Sequence, residues 1–164
     1  MAISKVNYAN KGKSLETLIN LSNTQYRQKG IALIQKIATP WTVIRRGEQI
    51  VSAFPAEKST VDYIGLQNGV PIAFDAKQCH NKTSFPLSRV EPHQIAFLQR
   101  WEQEKGDAFF LIEMTSLGKI YRVPLAEITK ERERKSIPIA EIASFDEVKS
   151  AGGIALDYLG AYSK

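Results

Sequence analysis

The amino-acid sequence predicts an α/β (α+β) protein in which helices pack against a central mixed β-sheet. Segments with helical periodicity alternate with short β-forming runs, in the order helix, three or four strands, helix, two strands, helix. An Asn-Gly pair at positions 68 and 69 separates two of those runs and indicates a β-hairpin. At 164 residues and 43% hydrophobic content, without internal repeats, the chain fits one domain spanning residues 1–164.

Composition and charge narrow the classes of protein to which the chain can belong. No apolar run reaches the length of a membrane span, and the N-terminus lacks the apolar core of a signal peptide, so we expect a cytoplasmic protein without a membrane partner. Cys79 is the only cysteine, and with His80 and His93 it has neither the number nor the spacing of zinc ligands. The net charge of +5 is compatible with a polyanionic partner.

The first predicted helix runs from about Lys11 to Lys29. Gly30 follows its last basic residue, which is a common way for a helix to end. Glu16 lies beside the apolar face, where it either stabilises the first turn or reaches a neighbouring site. The residues of that face recur at helical spacing: Leu15, Leu18, Ile19, Ser22 and Tyr26.

A strand is predicted over residues 31–37, and an extended path resumes at residues 41–44 after the break at Thr39 and Pro40. Residues 45–58 mix basic and apolar side chains and lead directly into the hairpin. This segment is either a disordered loop or a projecting arm that contacts a partner, because loops of this length in compact domains often carry function.

The central hairpin pairs residues 61–66 with residues 70–74. A two-residue turn at Asn68 and Gly69 fixes the register, so the numbers of facing residues sum to 137. Asp62 then faces Asp75, and Thr60 faces Lys77. Because side chains alternate along a strand, Asp75 and Lys77 share one face of the sheet.

Two facing carboxylates repel each other across a β-ladder unless another group offsets their charge. A shared proton would raise one pKa, whereas a divalent cation such as Mg²⁺ suits two hard oxygen ligands better. Lys77 adds a positive charge beside Asp62 and Asp75. A metal with two carboxylates and a lysine is a set of groups suited to phosphodiester hydrolysis. The alternative is a solvated polar face with both aspartates in water.

The polar and basic stretch at residues 78–89 follows the hairpin. Lys82 and Arg89 flank Phe85, a pattern that suits a strand of nucleic acid, although Phe85 fits a core contact equally well. The basic residues concentrate in the part of the sequence around the hairpin: Lys11, Lys13, Arg45, Arg46, Lys58, Lys82 and Arg89.

The C-terminal half predicts a helix over residues 92–105, then paired strands at residues 107–114 and 119–123. Pro92 is well placed in the first turn of that helix, and Ile95, Leu98 and Trp101 form its buried face. Residues 130–135 resemble a solvated helix face, and residues 144–147 fit a capping box that starts another helix. The tail from Leu156 either packs on the domain or pairs with a second subunit.

The sequence resembles the PD-(D/E)xK nuclease motif, with Asp62 first, then a hairpin, and then Asp75-Ala76-Lys77. The chain is more closely similar to the RecU family of Holliday junction resolvases. The matching pieces run in family order over roughly residues 10–115: Gly12-Lys-Ser-Leu-Glu16, Ile34-Gln-Lys-Ile-Ala-Thr-Pro40, Ser59-Thr-Val-Asp-Tyr-Ile-Gly65, Phe74-Asp-Ala-Lys77, Asn81-Lys-Thr-Ser-Phe-Pro-Leu87 and His93-Gln-Ile95.

This resemblance implies a PD-(D/E)xK-like sheet and a homodimer that nicks four-way DNA junctions in recombination and repair, using Mg²⁺ or Mn²⁺. It implies that Asp62, Asp75 and Lys77 are catalytic, with both aspartates binding metal. Glu16 becomes a further acidic member of the site, and Thr60 lies beside the metal. The residues expected to contact DNA are Lys13, Arg45, Arg46, Lys58, Lys82, Phe85 and Arg89.

The resemblance also makes residues 44–58 a stalk that projects toward the junction centre, and it places Gln94 near the site. Asp75 stands where the family motif has glutamate, and the stalk is shorter than is typical, as in a phage-encoded version. Two alternatives stay open. One is a related nuclease that cuts duplex or flapped DNA, and the other is a junction-binding protein that does not cleave. Recombination proteins are expected as further partners.

Overall fold

A computed structural model describes residues 13–58 and 60–161 as four α-helices and ten β-strands. The helices are α1 (Leu15–Gln28), α2 (Pro92–Gln103), α3 (Leu125–Thr129) and α4 (Ile139–Ile142). The strands are β1 (Leu33–Lys36), β2 (Trp41–Arg46), β3 (Gln49–Pro55), β4 (Tyr63–Gln67), β5 (Val70–Cys79), β6 (Ser84–Pro86), β7 (Asp107–Met114), β8 (Lys119–Pro124), β9 (Ser136–Pro138) and β10 (Asp146–Glu147).

The central sheet has the strand order β1-β4-β5-β7-β8-β10. Strands β5 and β7 pair in parallel over eight residues, whereas the other neighbours pair antiparallel. Helix α2 makes the crossover that a parallel pair requires. The predicted α+β class with a mixed sheet is therefore confirmed. None of the helices within residues 13–58 and 60–161 has the length and hydropathy that a membrane crossing requires.

The register of the central hairpin agrees with the prediction. Strands β4 and β5 pair from Gln67–Val70 at the turn to Tyr63–Phe74 at the far end, so each pair sums to 137. Asn68 and Gly69 have φ values of 50° and 78°, which are the positive values that this turn requires. The turn chemistry thus fixes which residues of β5 lie beside the end of β4.

Two hydrophobic cores cover the two faces of the sheet. Helix α1 packs on one face, and all five residues of its predicted apolar stripe are buried. On this face Phe74 stacks between Tyr63 and Phe109, with ring centroids 4.8 and 4.9 Å apart. Tyr158 from the tail packs against the same rings, so the described part of the tail belongs to this core. Helix α2 covers the other face and faces the odd-numbered residues of β5, from Ala73 onward.

Strands β2 and β3 form a separate two-stranded hairpin between β1 and β4. Every residue from 41 to 55 is exposed, including six large hydrophobic side chains: Trp41, Val43, Ile44, Ile50, Val51 and Phe54. We call this hairpin the stalk. The structure therefore gives residues 45–55 as an ordered arm and not as an irregular loop.

Two helix predictions in the C-terminal third are wrong. Residues 130–135 form bends and irregular backbone, and Arg132 pairs there with Glu127 and Glu141 beside the short helix α3. Ser144 lies in the turn after α4, and Asp146 and Glu147 pair with β8 as the edge strand β10. The capping-box pattern at these residues fits a helix locally, but pairing with the sheet determines the conformation instead.

Candidate active site

Asp75 is a buried carboxylate on β5, in the centre of the sheet. Its Oδ1 atom accepts a hydrogen bond of 2.9 Å from Nε2 of Gln94 on α2. Its Oδ2 atom lies 2.7 Å from Nζ of Lys77, which points to the same face two residues later. Lys77 Nζ also donates to Oε1 of Gln94 over 3.0 Å. Asp75, Lys77 and Gln94 therefore form a closed triangle between the sheet and α2.

Burial, together with the negative charge of nearby Asp62, raises the pKa of Asp75 from 3.8 to about 6. The ion pair and hydrogen bond with Lys77 lower the pKa of Asp75, but they offset only part of the cost of burial. The carboxylate is thus held in an unfavourable environment that a further positive charge would relieve.

Asp62 reaches Asp75 by a route that differs from the predicted strand pairing. The β4–β5 ladder ends at Tyr63–Phe74, so the predicted backbone pairs Asp62–Asp75 and Thr60–Lys77 are absent from it. The chain bends at Asp62 because the preceding Val61 is buried in the core on the α2 side. The Oδ2 atom of Asp62 accepts a hydrogen bond of 2.9 Å from the backbone N–H of Ala76, which ties this carboxylate to β5 next to Asp75. Thr60 lies before this bend and is exposed.

Glu16 lies in the first turn of α1, on the opposite face of the sheet from Gln94. It forms an ion pair with Lys36 of β1, and both side chains are about half exposed. Both residues line a cavity of about 700 Å³ together with Asp62, Ala76 and Gln78. Glu16 therefore reaches the same cavity as Asp62, and so does Lys36, which the sequence analysis did not single out as a site residue.

The donor set fits a hard divalent cation. Asp75 Oδ2 is buried, and the polar group beside it is the Lys77 ammonium at 2.7 Å. One carboxylate oxygen of Asp62 accepts the hydrogen bond from Ala76, which leaves the second oxygen as a candidate metal ligand. Within residues 13–58 and 60–161, no three acidic, histidine or cysteine side chains converge on one point. Mg²⁺ is commonly held by one or two carboxylates together with water and substrate phosphate, which this pair satisfies.

Gln94 occupies its position because of how α2 begins. Glu91 is the N-cap residue, and the Oε1 atom of Gln94 accepts a hydrogen bond of 3.2 Å from the backbone N–H of Glu91. This reciprocal capping box fixes the Gln94 side chain at the first turn. The same amide then contacts both Asp75 and Lys77. The structure thus places Gln94 beside Asp75 and Lys77.

Most of the basic residues expected to contact DNA lie on exposed surfaces. Lys13 precedes α1, Lys82 lies between β5 and β6, and Arg45 and Arg46 lie on the stalk. Lys58 forms an exposed ion pair of 3.3 Å with Glu91.

Two residues of the segment after the hairpin have specific contacts. Arg89 donates a hydrogen bond to the backbone carbonyl of Gln78, at the wall of the cavity. Phe85 corrects the sequence analysis: its side chain is fully buried in the core on the α2 side. It stabilises that core and presents no ring surface on which a base could stack.

A mixed sheet with paired carboxylates and a lysine at the end of its central hairpin defines a nuclease-like α+β domain. The family model for recombination protein U matches residues 10–164, and the chain belongs to this RecU family. A relative from Staphylococcus saprophyticus, named Holliday junction resolvase RecU, is 36% identical over 91% of this chain and 74% of its own length. A relative of the same name from Staphylococcus aureus strain JH9 is 33% identical over 99% of this chain and 85% of its own.

Among solved structures, the chain is similar to the Holliday junction resolvase Hjc from Archaeoglobus fulgidus. The match has a TM-score of 0.45 and 12% identity, and it covers 82% of this chain and 95% of Hjc.

Proposed function

We propose that this protein is an endonuclease that resolves four-way DNA junctions by paired phosphodiester hydrolysis, in recombination and repair. The observation that carries this proposal is the buried triangle of Asp75, Lys77 and Gln94 beside Asp62, in a chain whose curated relatives are named Holliday junction resolvases. The proposal includes a cytoplasmic location.

Asp62 and Asp75 would hold Mg²⁺, or Mn²⁺ in its place, with Glu16 able to contribute from the same cavity as Asp62. When bound, such an ion supplies Lewis-acid stabilisation and activates water for attack on phosphorus. The raised pKa of Asp75 supports this assignment, because a bound cation offsets the electrostatic cost of the buried carboxylate.

Lys77 is the positively charged group that faces the reacting phosphate in this proposal. Its side chain is only 18% exposed, so its charge acts in a medium less screened than bulk water. Contacts with Asp75 and Gln94 fix the ammonium group. A fixed ammonium can orient the attacking water or stabilise charge that develops on the phosphate, without reorganising during the reaction.

A four-way junction presents two symmetry-related strands, which a two-fold homodimer would cut with one site each. The stalk would reach the branched DNA, and exposed basic side chains on the stalk and around the cavity would contact phosphates. Such contacts make binding salt-dependent, since each neutralised phosphate releases counterions. Other recombination proteins would bind the protein–DNA complex at the junction.

The test uses a labelled four-way junction and its matching linear duplex, with and without Mg²⁺. The unaltered protein should give paired nicks on the junction only with metal, and Asp75→Asn should bind the junction without nicking it. Asp146→Asn is the control, because it removes an exposed carboxylate of β10 and should leave nicking unchanged. Equal cutting of duplex and junction would indicate a less selective nuclease. Tight binding without nicks in any variant would leave a non-cleaving junction binder.

A further inference from the structure

Trp41 is an exposed aromatic residue at the base of the stalk, where β2 begins. Its relative exposure is 59%, the highest of the large hydrophobic residues that the structure describes as exposed. Within residues 13–58 and 60–161 its indole stacks on no other ring and on no cation. None of the described residues therefore covers this flat apolar surface with a ring or a cation.

Backbone hydrogen bonding at the base of the stalk fixes the position of Trp41. Trp41 pairs with Pro55 as the first pair of the β2–β3 ladder. The backbone N–H of Ala56 donates to the carbonyl of Pro40 over 2.8 Å, which closes the stalk at its base. This anchoring holds the indole at the edge of the domain, away from the stalk tip.

Trp41 lines the same cavity as Asp62 and Glu16. The other walls of this cavity include Lys36 and Gln78. The cavity is therefore polar around the two carboxylates and has a large aromatic surface on the side of the stalk. A phosphodiester held at Asp62 carries a nucleoside on each side. An aromatic wall of the cavity can therefore contact the base of a nucleotide adjoining the bound phosphate.

We propose that Trp41 is a stacking subsite for a nucleobase with an exposed face, next to the phosphate that is cut. The inference rests on the proposed nuclease function and assigns a nucleobase as the ligand of the Trp41 wall of the cavity. Every base has a π-face, so stacking tolerates any sequence but requires a base whose face is not already covered by a neighbouring base. Bases in continuous duplex are stacked on both sides, whereas bases at a branch point are available. The subsite would thus favour branched over linear DNA.

Junction binding without metal, in EDTA, is the first readout. Trp41→Ala should weaken binding by about 5- to 150-fold, which corresponds to about 1–3 kcal/mol for one base–aromatic stack. Trp41→Phe should restore most of this affinity. The matched control is Phe54→Ala, since Phe54 is also an exposed stalk aromatic, at 47%, and does not line the cavity.

Tryptophan fluorescence supplies a readout that does not depend on cleavage. The chain has two tryptophans, so Trp101→Phe leaves Trp41 as the single emitter. Adding junction should quench the fluorescence of Trp41. In a second measurement, 2-aminopurine is placed in the DNA beside the cut site, and its emission should change on binding the unaltered protein but not on binding Trp41→Ala. Adding the matching linear duplex at saturation should quench Trp41 much less.

Three results would overturn the subsite. The first is an equal loss of junction affinity in Trp41→Ala and Phe54→Ala, which would indicate a general apolar contact of the stalk. The second is unchanged Trp41 emission on a junction that the protein binds and nicks. The third is a change of oligomeric state in Trp41→Ala, measured by sedimentation, that accounts for the lost affinity. Failure to bind any junction would instead refute the proposed function, and the subsite with it.

Discussion

Replacing Asp75 with asparagine should stabilise the metal-free protein at neutral pH while abolishing nicking. Asparagine has nearly the shape of a protonated aspartate, so it removes the buried charge without creating a cavity. The pKa of Asp75 rises from 3.8 to about 6 on folding, a difference of about two units. At about 1.4 kcal/mol per unit, the carboxylate form costs the folded protein roughly 3 kcal/mol at pH 7.

The sign of the pH dependence follows from proton linkage. Between pH 4 and pH 6 the folded state binds the Asp75 proton more tightly than the unfolded state, so the contribution of Asp75 to stability falls as the pH rises. The free energy of unfolding of the unaltered protein minus that of Asp75→Asn should therefore decrease by up to about 3 kcal/mol from pH 4 to pH 7.

The assay is urea unfolding in EDTA, followed by tryptophan fluorescence at half-unit pH intervals. Asp146→Asn serves as the control for the loss of one exposed carboxylate. Adding Mg²⁺ at pH 7.5 should then stabilise the unaltered protein and not Asp75→Asn, because only a ligand that binds the folded state shifts the equilibrium. A difference that stays flat from pH 4 to pH 7, or an Asp75→Asn protein that is less stable at pH 7, would refute this reasoning.

Four further changes test other parts of the structure. Lys77→Met should reduce junction nicking at least about 100-fold with little loss of binding, measured under single turnover, since it removes the fixed positive charge. Gln94→Glu should keep the helix cap and thermal stability but lower the nicking rate, because it places a carboxylate against Asp75; an active variant would contradict the triangle. Gly65→Ala should destabilise the protein by at least about 2 kcal/mol in urea, because a Cβ there would overlap the Leu33 carbonyl and lie 2.7 Å from the Ile34 Cα. Replacing both Arg45 and Arg46 with alanine should weaken junction binding. The slope of the logarithm of the binding constant against the logarithm of the salt concentration should become shallower by about two, whereas an unchanged slope would place the stalk away from phosphates.

Local chemistry accounts for the parts of the fold that the sequence predicts well. Asn68 and Gly69 can adopt positive φ, and a two-residue turn leaves only one register for the hairpin. The apolar period of α1 likewise identifies its buried face without any knowledge of its partner. Both signals depend on residues that are neighbours in sequence.

The errors arise where distant contacts decide the structure. Ser144 begins a good capping box, but β8 offers an open edge with which Asp146 and Glu147 pair. Phe85 has the same sequence neighbours whether it stacks on DNA or fills a core, and its pairing with Ile137 of β9 buries it. Lys36 was missed because its ion pair with Glu16 joins elements twenty residues apart.

The stalk has a consequence for how such proteins can diverge. Among the residues that the structure describes, its strands pair only with each other and residues 41–55 are all exposed, so the hairpin shares no core with the central sheet. Lengthening or shortening an exposed hairpin costs little loop entropy and leaves the packing of the domain intact. In the proposed function, the reach of the stalk toward branched DNA could therefore change by insertion and deletion without disturbing the packing around Asp75.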